Sequence, residues 1–226
     1  MPEDEDEEQG RPNKAGGCVF RLVRTVLVMG LIAALAMFAW QVLSPQDLTD
    51  VESAAGRDLP HLLEQAQAEG GEVSITEAEL NGFIAGTLGM RQAGLLGETV
   101  AVRRVLVRLE PGIAEVIIER EVFGYPQTVS MFLRIVQDPQ DERSIEVSLD
   151  AGELIKGLSI PVGGRFGQLR IPQGFLRLVL GSFVELTKVY APELRLLGLD
   201  GGVQGTGPLP QIGIGEKRMR VAYPRR

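Results

Sequence analysis

The sequence predicts an α+β protein with an N-terminal transmembrane helix, an antiparallel sheet and a long apolar helix, on three observations. An uncharged apolar run stands near the N-terminus, three later segments alternate apolar and polar residues with period two, and one helical segment near the C-terminal end is apolar over most of its girth. A chain of 226 residues suits one domain with accessories, and an apolar fraction of 44% is enough to bury a core. The acidity belongs to a tail and not to a fold. Without Glu3, Asp4, Glu5, Asp6, Glu7 and Glu8 the formal net charge would fall from -7 to -1.

The run Thr25 to Leu43 carries no charge and would span about 28 Å as a helix, close to the thickness of a bilayer's hydrocarbon layer. Arg11, Lys14, Arg21 and Arg24 precede it, whereas Arg57 is the first base to follow it. This imbalance predicts a cytoplasmic N-terminus, a single span and an extracytoplasmic C-terminal domain, periplasmic or on the outer face. Ala34-Leu35-Ala36 resembles a signal-peptide cleavage site, but the apolar stretch continues through Leu43, longer than a signal core, so the segment reads as a retained anchor. The expected organisation is a cytoplasmic tail over 1–24, acidic then basic, an anchor over 25–43, a helical stalk over 44–72 and an α+β domain over 73–226.

In the stalk, Leu48, Val51, Ala55, Leu59, Leu62 and Leu63 recur at helical spacing, with Gly56 and Pro60 as breakers. Thr76 and Glu79 form a capping box that opens a helix carrying Ala78, Leu80, Phe83, Ile84 and Leu88. The alternating segments follow. Ala114, Val116, Ile118 and Val122 oppose Glu115, Glu119 and Glu121; Val129, Met131, Leu133 and Ile135 oppose Thr128, Ser130 and Arg134; Ile145, Val147 and Leu149 oppose Ser144, Glu146, Ser148 and Asp150. Such patterns predict antiparallel strands with one dry and one wet face, preceded by a strand from Thr99 to Leu109. Glu110-Pro111-Gly112 and Asp138-Pro139-Gln140-Asp141 suit the turns of a meander. Pro161-Val162-Gly163-Gly164 and Ile171-Pro172 read as a turn-rich patch leading to a helix from Gln173 to Tyr190. That helix has Arg177, Gly181, Glu185 and Lys188 as its narrow polar stripe. A short strand over Lys217 to Tyr223 ends the chain.

Candidate chemistry is sparse. With Cys18 and His61 the sole residues of their kinds, disulfides, zinc sites, iron–sulfur clusters and Cys/His nucleophiles lack their groups, and no cofactor or metal is expected. Glu119/Glu121 and Asp138/Asp141 read as solvated charge, His61 as a stalk residue, and the glycines near Gly163, Gly164 and Gly167 as a connection lacking the Gly-Lys-Ser/Thr of a phosphate loop. The basic cluster Lys217, Arg218, Arg220, Arg225 and Arg226 suits anionic head groups or plain solvation. Nucleic acid is a poor partner for an exported domain with 5% aromatic residues.

The order of these elements, with ITEAELNGFI at the capped helix, Phe123 to Pro126 at a strand junction and Gly157 to Pro161 before the apolar helix, resembles the membrane-anchored YpmS-type proteins. More distantly, Val73 to Tyr223 is similar to the TULIP-like lipid-binding domains. That resemblance implies a curved antiparallel sheet packed around the long apolar helix, an apolar groove for acyl chains, and no catalytic residues. The expected groove lining is Phe175, Leu178, Val179, Phe183, Leu186, Met131 and Leu133, with membrane lipid as ligand. The competing expectation is a bitopic structural or adaptor protein that binds other envelope proteins through an exposed apolar patch over a solid core.

Overall fold

The computed structural model describes residues 14–55, 57–91, 100–137, 145–178, 180–199 and 209–224. The chain divides after Trp40 into two compact units. Helix α1, Lys14–Leu43, contains the span Phe20–Leu43, 24 residues of high mean hydropathy, long and apolar enough to cross a bilayer.

Beyond it lie α2 (Leu59–Glu69), β1 (Glu72–Thr76), α3 (Glu77–Arg91), β2 (Val100–Glu110), β3 (Ile113–Val122), β4 (Tyr125–Gln137), β5 (Ile145–Ser148), β6 (Glu153–Ile155), β7 (Leu158–Phe166) and β8 (Leu169–Pro172). A 3₁₀ turn (Gln173–Leu178), α4 (Leu180–Val189), α5 (Ala191–Leu196), β9 (Gln211–Gly215) and β10 (Arg218–Ala222) complete the domain. Every strand pairing among the described residues is antiparallel. A seven-stranded sheet runs β2-β3-β4-β7-β6, with β5 on β4 and β8 on β7, and a small sheet runs β1-β10-β9. The meander of β2, β3 and β4 follows directly from their alternation.

The core lies on the sheet face that the alternation marks as dry. Val105, Val107, Leu109, Ile118, Val129 and Met131 pack there with Leu59 and Leu63 of α2, Ile84 and Leu88 of α3, Phe183 of α4, and Met219 and Val221 of β10. Helix α3 also closes the outer edge of β2. Asn81 donates to Val107 O at 3.0 Å and accepts from Val107 N at 2.7 Å, while Glu77 accepts from Leu109 N at 2.7 Å. Spaced four apart on one helix face, the two side chains take the place of a missing strand and blunt an edge that would invite another chain.

The capping box forms as its spacing predicts. Glu79 N donates to Thr76 Oγ1 at 3.2 Å, and Thr76 N donates back to Glu79 Oε2 at 2.9 Å. Arg57 clamps the same carboxylate at 2.7 Å, and the Arg57 and Thr76 hydrogen bonds bring its pKa down from 4.5 to about 2.

Three expectations change. Ser44 to Asp58 is not helical where described, and only Leu59–Glu69 of the expected stalk is. The patch around Pro161 to Gly164 is not a turn but part of β7, where the glycines serve close packing: a Cβ on Gly164 would stand 2.0 Å from Ser130 O. The continuous helix from Gln173 to Tyr190 gives way to a 3₁₀ turn before α4. That turn sets Leu176 against Gly163, where a Cβ would come within 2.6 Å of Leu176 Cδ1.

Because Glu79 titrates lower in the folded protein than unfolded, its contribution is complete above about pH 4.5 and fades as pH falls toward 2. Glu79→Gln should lower stability by roughly 1 kcal/mol at pH 7, discounted for the half-exposed Arg57 partner, with the difference narrowing as pH falls from 4.5 toward 2 in urea titrations in detergent.

Candidate functional site

Gln41–Leu43 close α1, residues 44–54 form no helix or strand of their own, and this strip takes hydrogen bonds from the domain. Gln168 N donates to Gln41 O at 2.9 Å, Gln46 N to Thr128 Oγ1 at 2.9 Å, and Arg108 Nη2 to Asp47 O at 3.0 Å. Farther along, Asn81 Nδ2 donates to Glu52 O at 3.2 Å and Ala54 N to Ala78 O at 3.0 Å. Gly167 is the seat of this strip. Its φ of 58° suits glycine, and a Cβ there would stand 2.4 Å from Val42 O and 2.6 Å from both Gln41 O and Ser44 O.

The strip lies over the face of β3 and β4 that alternation marks as wet, and this is the main correction to the sequence reading. Glu115, Thr128 and Ser130 are 1%, 0% and 0% exposed, as deeply buried as the core residues. Ile117 and Phe132 are buried beside them. A carboxylate so placed needs partners, and Glu115 has three. Ser130 Oγ donates to Oε1 at 2.5 Å, Arg108 Nη1 lies 3.2 Å from Oε2, and Arg165 Nε lies 3.5 Å from Oε1. Gln46 Nε2 donates to Ser130 Oγ at 3.2 Å, tying the strip to the same cluster.

Asp50, from the strip, pairs with Arg108 Nη2 at 2.9 Å, and the Arg165 guanidinium lies over the Phe132 ring at 5.6 Å. Burial works against the charge on Arg108, but Glu115 and Asp50 outweigh it and its pKa is raised. Two acids thus face two bases, and the strip supplies one of the acids.

Ser130 is enclosed and its hydroxyl is committed in both directions, so the Ser130–Glu115 contact serves as a fastener. Beside the cluster a cleft of about 440 Å³ is lined by Gln46, Asp47, Asp50, Arg108, Arg165 and Gln168 among others. A larger one, about 740 Å³, lies where α3 begins against the β9–β10 turn. Glu52, Glu77 and Glu216 line it together with Lys217, Arg218 and Arg220.

Of the residues expected to line a groove, Met131 and Phe183 are buried in the core, and Leu133 and Leu186 pack against it. Phe175 is 58% exposed. Val179 and the side chain of Leu178 lie outside the described residues. Neither cleft is lined by any of the seven. Glu119 and Glu121 pair with Arg104 and Arg103 across β2 and β3, and His61 is exposed on α2. Asp138 and Asp141 lie outside the described residues, among which no cluster of three metal-ligating side chains occurs.

No family model, curated protein or solved structure matches the chain.

Removing Glu115 would take from Arg165 its carboxylate partner in the cluster, leave Arg108 with Asp50 alone, and open a cavity beside Ser130. Glu115→Ala should cost about 3–5 kcal/mol in chemical denaturation, against roughly 1–3 kcal/mol for Ser130→Ala. Gly167→Ala should lift the strip from its seat, read as faster hydrogen exchange at the Gln46 and Gln168 amides with the β2–β3 ladder unchanged.

Proposed function

We propose that this is a single-pass membrane protein with its N-terminus in the cytoplasm and its α+β domain outside, and that the domain is a non-catalytic adaptor for another envelope protein. One observation carries the adaptor reading. Ile155, Leu158 and Ile160 are 53%, 51% and 36% exposed on the β6–β7 hairpin, a run of large apolar side chains that a solvated surface does not need. β8 flanks β7 only from Val162 onward, so the stretch carrying Leu158 and Ile160 offers a strand edge together with apolar side chains. Phe166 pairs with Val129 at the other end of β7, about 26 Å from Leu158. The hairpin is thus remote from the place where the chain joins the domain.

A lipid carrier would turn Met131, Leu133, Phe183 and Leu186 toward a guest, and their place in the core favours the adaptor. The orientation rests on the excess of arginine and lysine before the anchor.

In intact cells Cys18 should resist a membrane-impermeant maleimide, while Ser53→Cys in a Cys18→Ser background should react; the opposite pattern inverts the topology. A photo-crosslinking residue at position 158 should yield one discrete protein adduct that disappears with Ile155→Lys and Ile160→Lys. If position 158 yields none and native mass spectrometry finds a phospholipid bound one to one, the domain carries lipid and the adaptor reading is wrong.

A further inference from the structure

The β3–β4 hairpin closes through Phe123 and Gly124, with Val122 and Tyr125 as the last strand pair. Both turn residues have positive φ, 51° and 82°, the geometry in which a two-residue hairpin favours Asn-Gly. A bulky aromatic in the first position is strained and does nothing for folding that asparagine would not do better. Phe123 is 79% exposed and Tyr125 77%, the two most exposed large apolar side chains described. Pro126 is exposed as well. Behind them stand the ion pairs Arg103–Glu121 and Arg104–Glu119, so an aromatic tip is backed by a charged collar.

The position of this tip within the domain gives it a use. Gln46 N is bound to Thr128 and Gln41 O to Gln168, whose neighbour Gly167 in turn donates to Thr128 O. The chain therefore joins the domain at the level of Thr128. Tyr125 begins β4 three residues before Thr128, about 10 Å from that level. Gln41 belongs to the last turn of the apolar span Phe20–Leu43, so the tip lies on the same part of the domain as the residue through which the span continues into it.

We propose that Phe123 and Tyr125 insert into the interfacial layer of the membrane that holds the anchor, making the hairpin a second, reversible contact with lipid. This rests on the membrane-anchored reading above. Aromatic rings with an apolar body and, in tyrosine, a polar tip suit that layer, and the collar of Arg103, Arg104, Glu119 and Glu121 stays among head groups and water. The ligand is the bilayer surface, with no single lipid selected.

Trp40 is the only tryptophan, which makes the test direct. The full chain carrying Trp40→Phe and Phe123→Trp is reconstituted into vesicles of phosphatidylcholine and phosphatidylglycerol whose chains are brominated near the head group. A companion protein carries Trp40→Phe and Leu158→Trp, the latter on the hairpin at the far end of β7. The indole at position 123 should be quenched roughly twofold and the one at position 158 left near its value in unbrominated vesicles, as insertion of the one hairpin and not the other requires. Quenching at position 123 no greater than at position 158, while Trp40 of the unsubstituted chain is quenched, overturns the hairpin contact and leaves the anchor standing. Should Trp40 also escape quenching, the anchor falls and the hairpin proposal falls with it.

Discussion

The carboxylate of Glu115 is the point on which the arrangement turns. It sits in the middle of a sheet face, cut off from water by a strip of chain that follows directly on the apolar helix. Stripped of partners there, it would cost several kcal/mol. Ser130, Arg108 and Arg165 make its burial possible, yet the two arginines leave one positive charge in excess. Asp50 restores the balance, and Asp50 arrives with the strip. Docking of the strip and neutrality of the cluster are thus one event. The strip cannot leave without breaking the Asp50 pair and opening Glu115 to water.

Such a cluster is not the cheapest way to join two pieces of chain. Arg108 Nε, Arg165 Nε and Gln46 Oε1 are buried without a hydrogen-bond partner among the described residues, and an apolar joint would leave no such groups. The cluster brings selectivity of position. An apolar strip can slide along an apolar face with little change in energy, whereas Asp50, Gln46 and the Gly167 seat meet their partners in one register only. The 2.4 Å that a Cβ on Gly167 would leave to Val42 O shows how little room that register allows.

The anchor, the capping box, β2 to β5 and the meander are legible in the sequence, because each rests on local periodicity or on a turn between neighbours. The covered polar face is not, since period two separates the faces of a strand without saying what lies over them. The sign that was present is the interruption of the polar set by Ile117 and Phe132, which have no reason to stand on a wet face. Gly163 and Gly164 mislead for a related reason: glycine marks close approach as well as turning, and only Leu176 and the Ser130 carbonyl tell which applies. The groove residues show the same limit, for an apolar helix face reads alike whether it meets a sheet, as Phe183 does, or a guest.

Function follows from the loss of freedom in the strip. As a flexible linker, the eleven residues 44–54 that follow α1 would let the domain range over about 20 Å and turn freely, presenting every face in succession. Docked, the strip fixes the level of the sheet at which the chain leaves, near Thr128, and so assigns different surroundings to the two ends of the sheet. The end with Phe123 and Tyr125 stays close to the exit, and the end with Ile155, Leu158 and Ile160 stays far from it. Two exposed apolar hairpins on one small domain would be an aggregation hazard if both met water and other copies at random. Held apart in this way, the two hairpins meet different surroundings, which is what the proposed bilayer contact of one and the proposed partner contact of the other require.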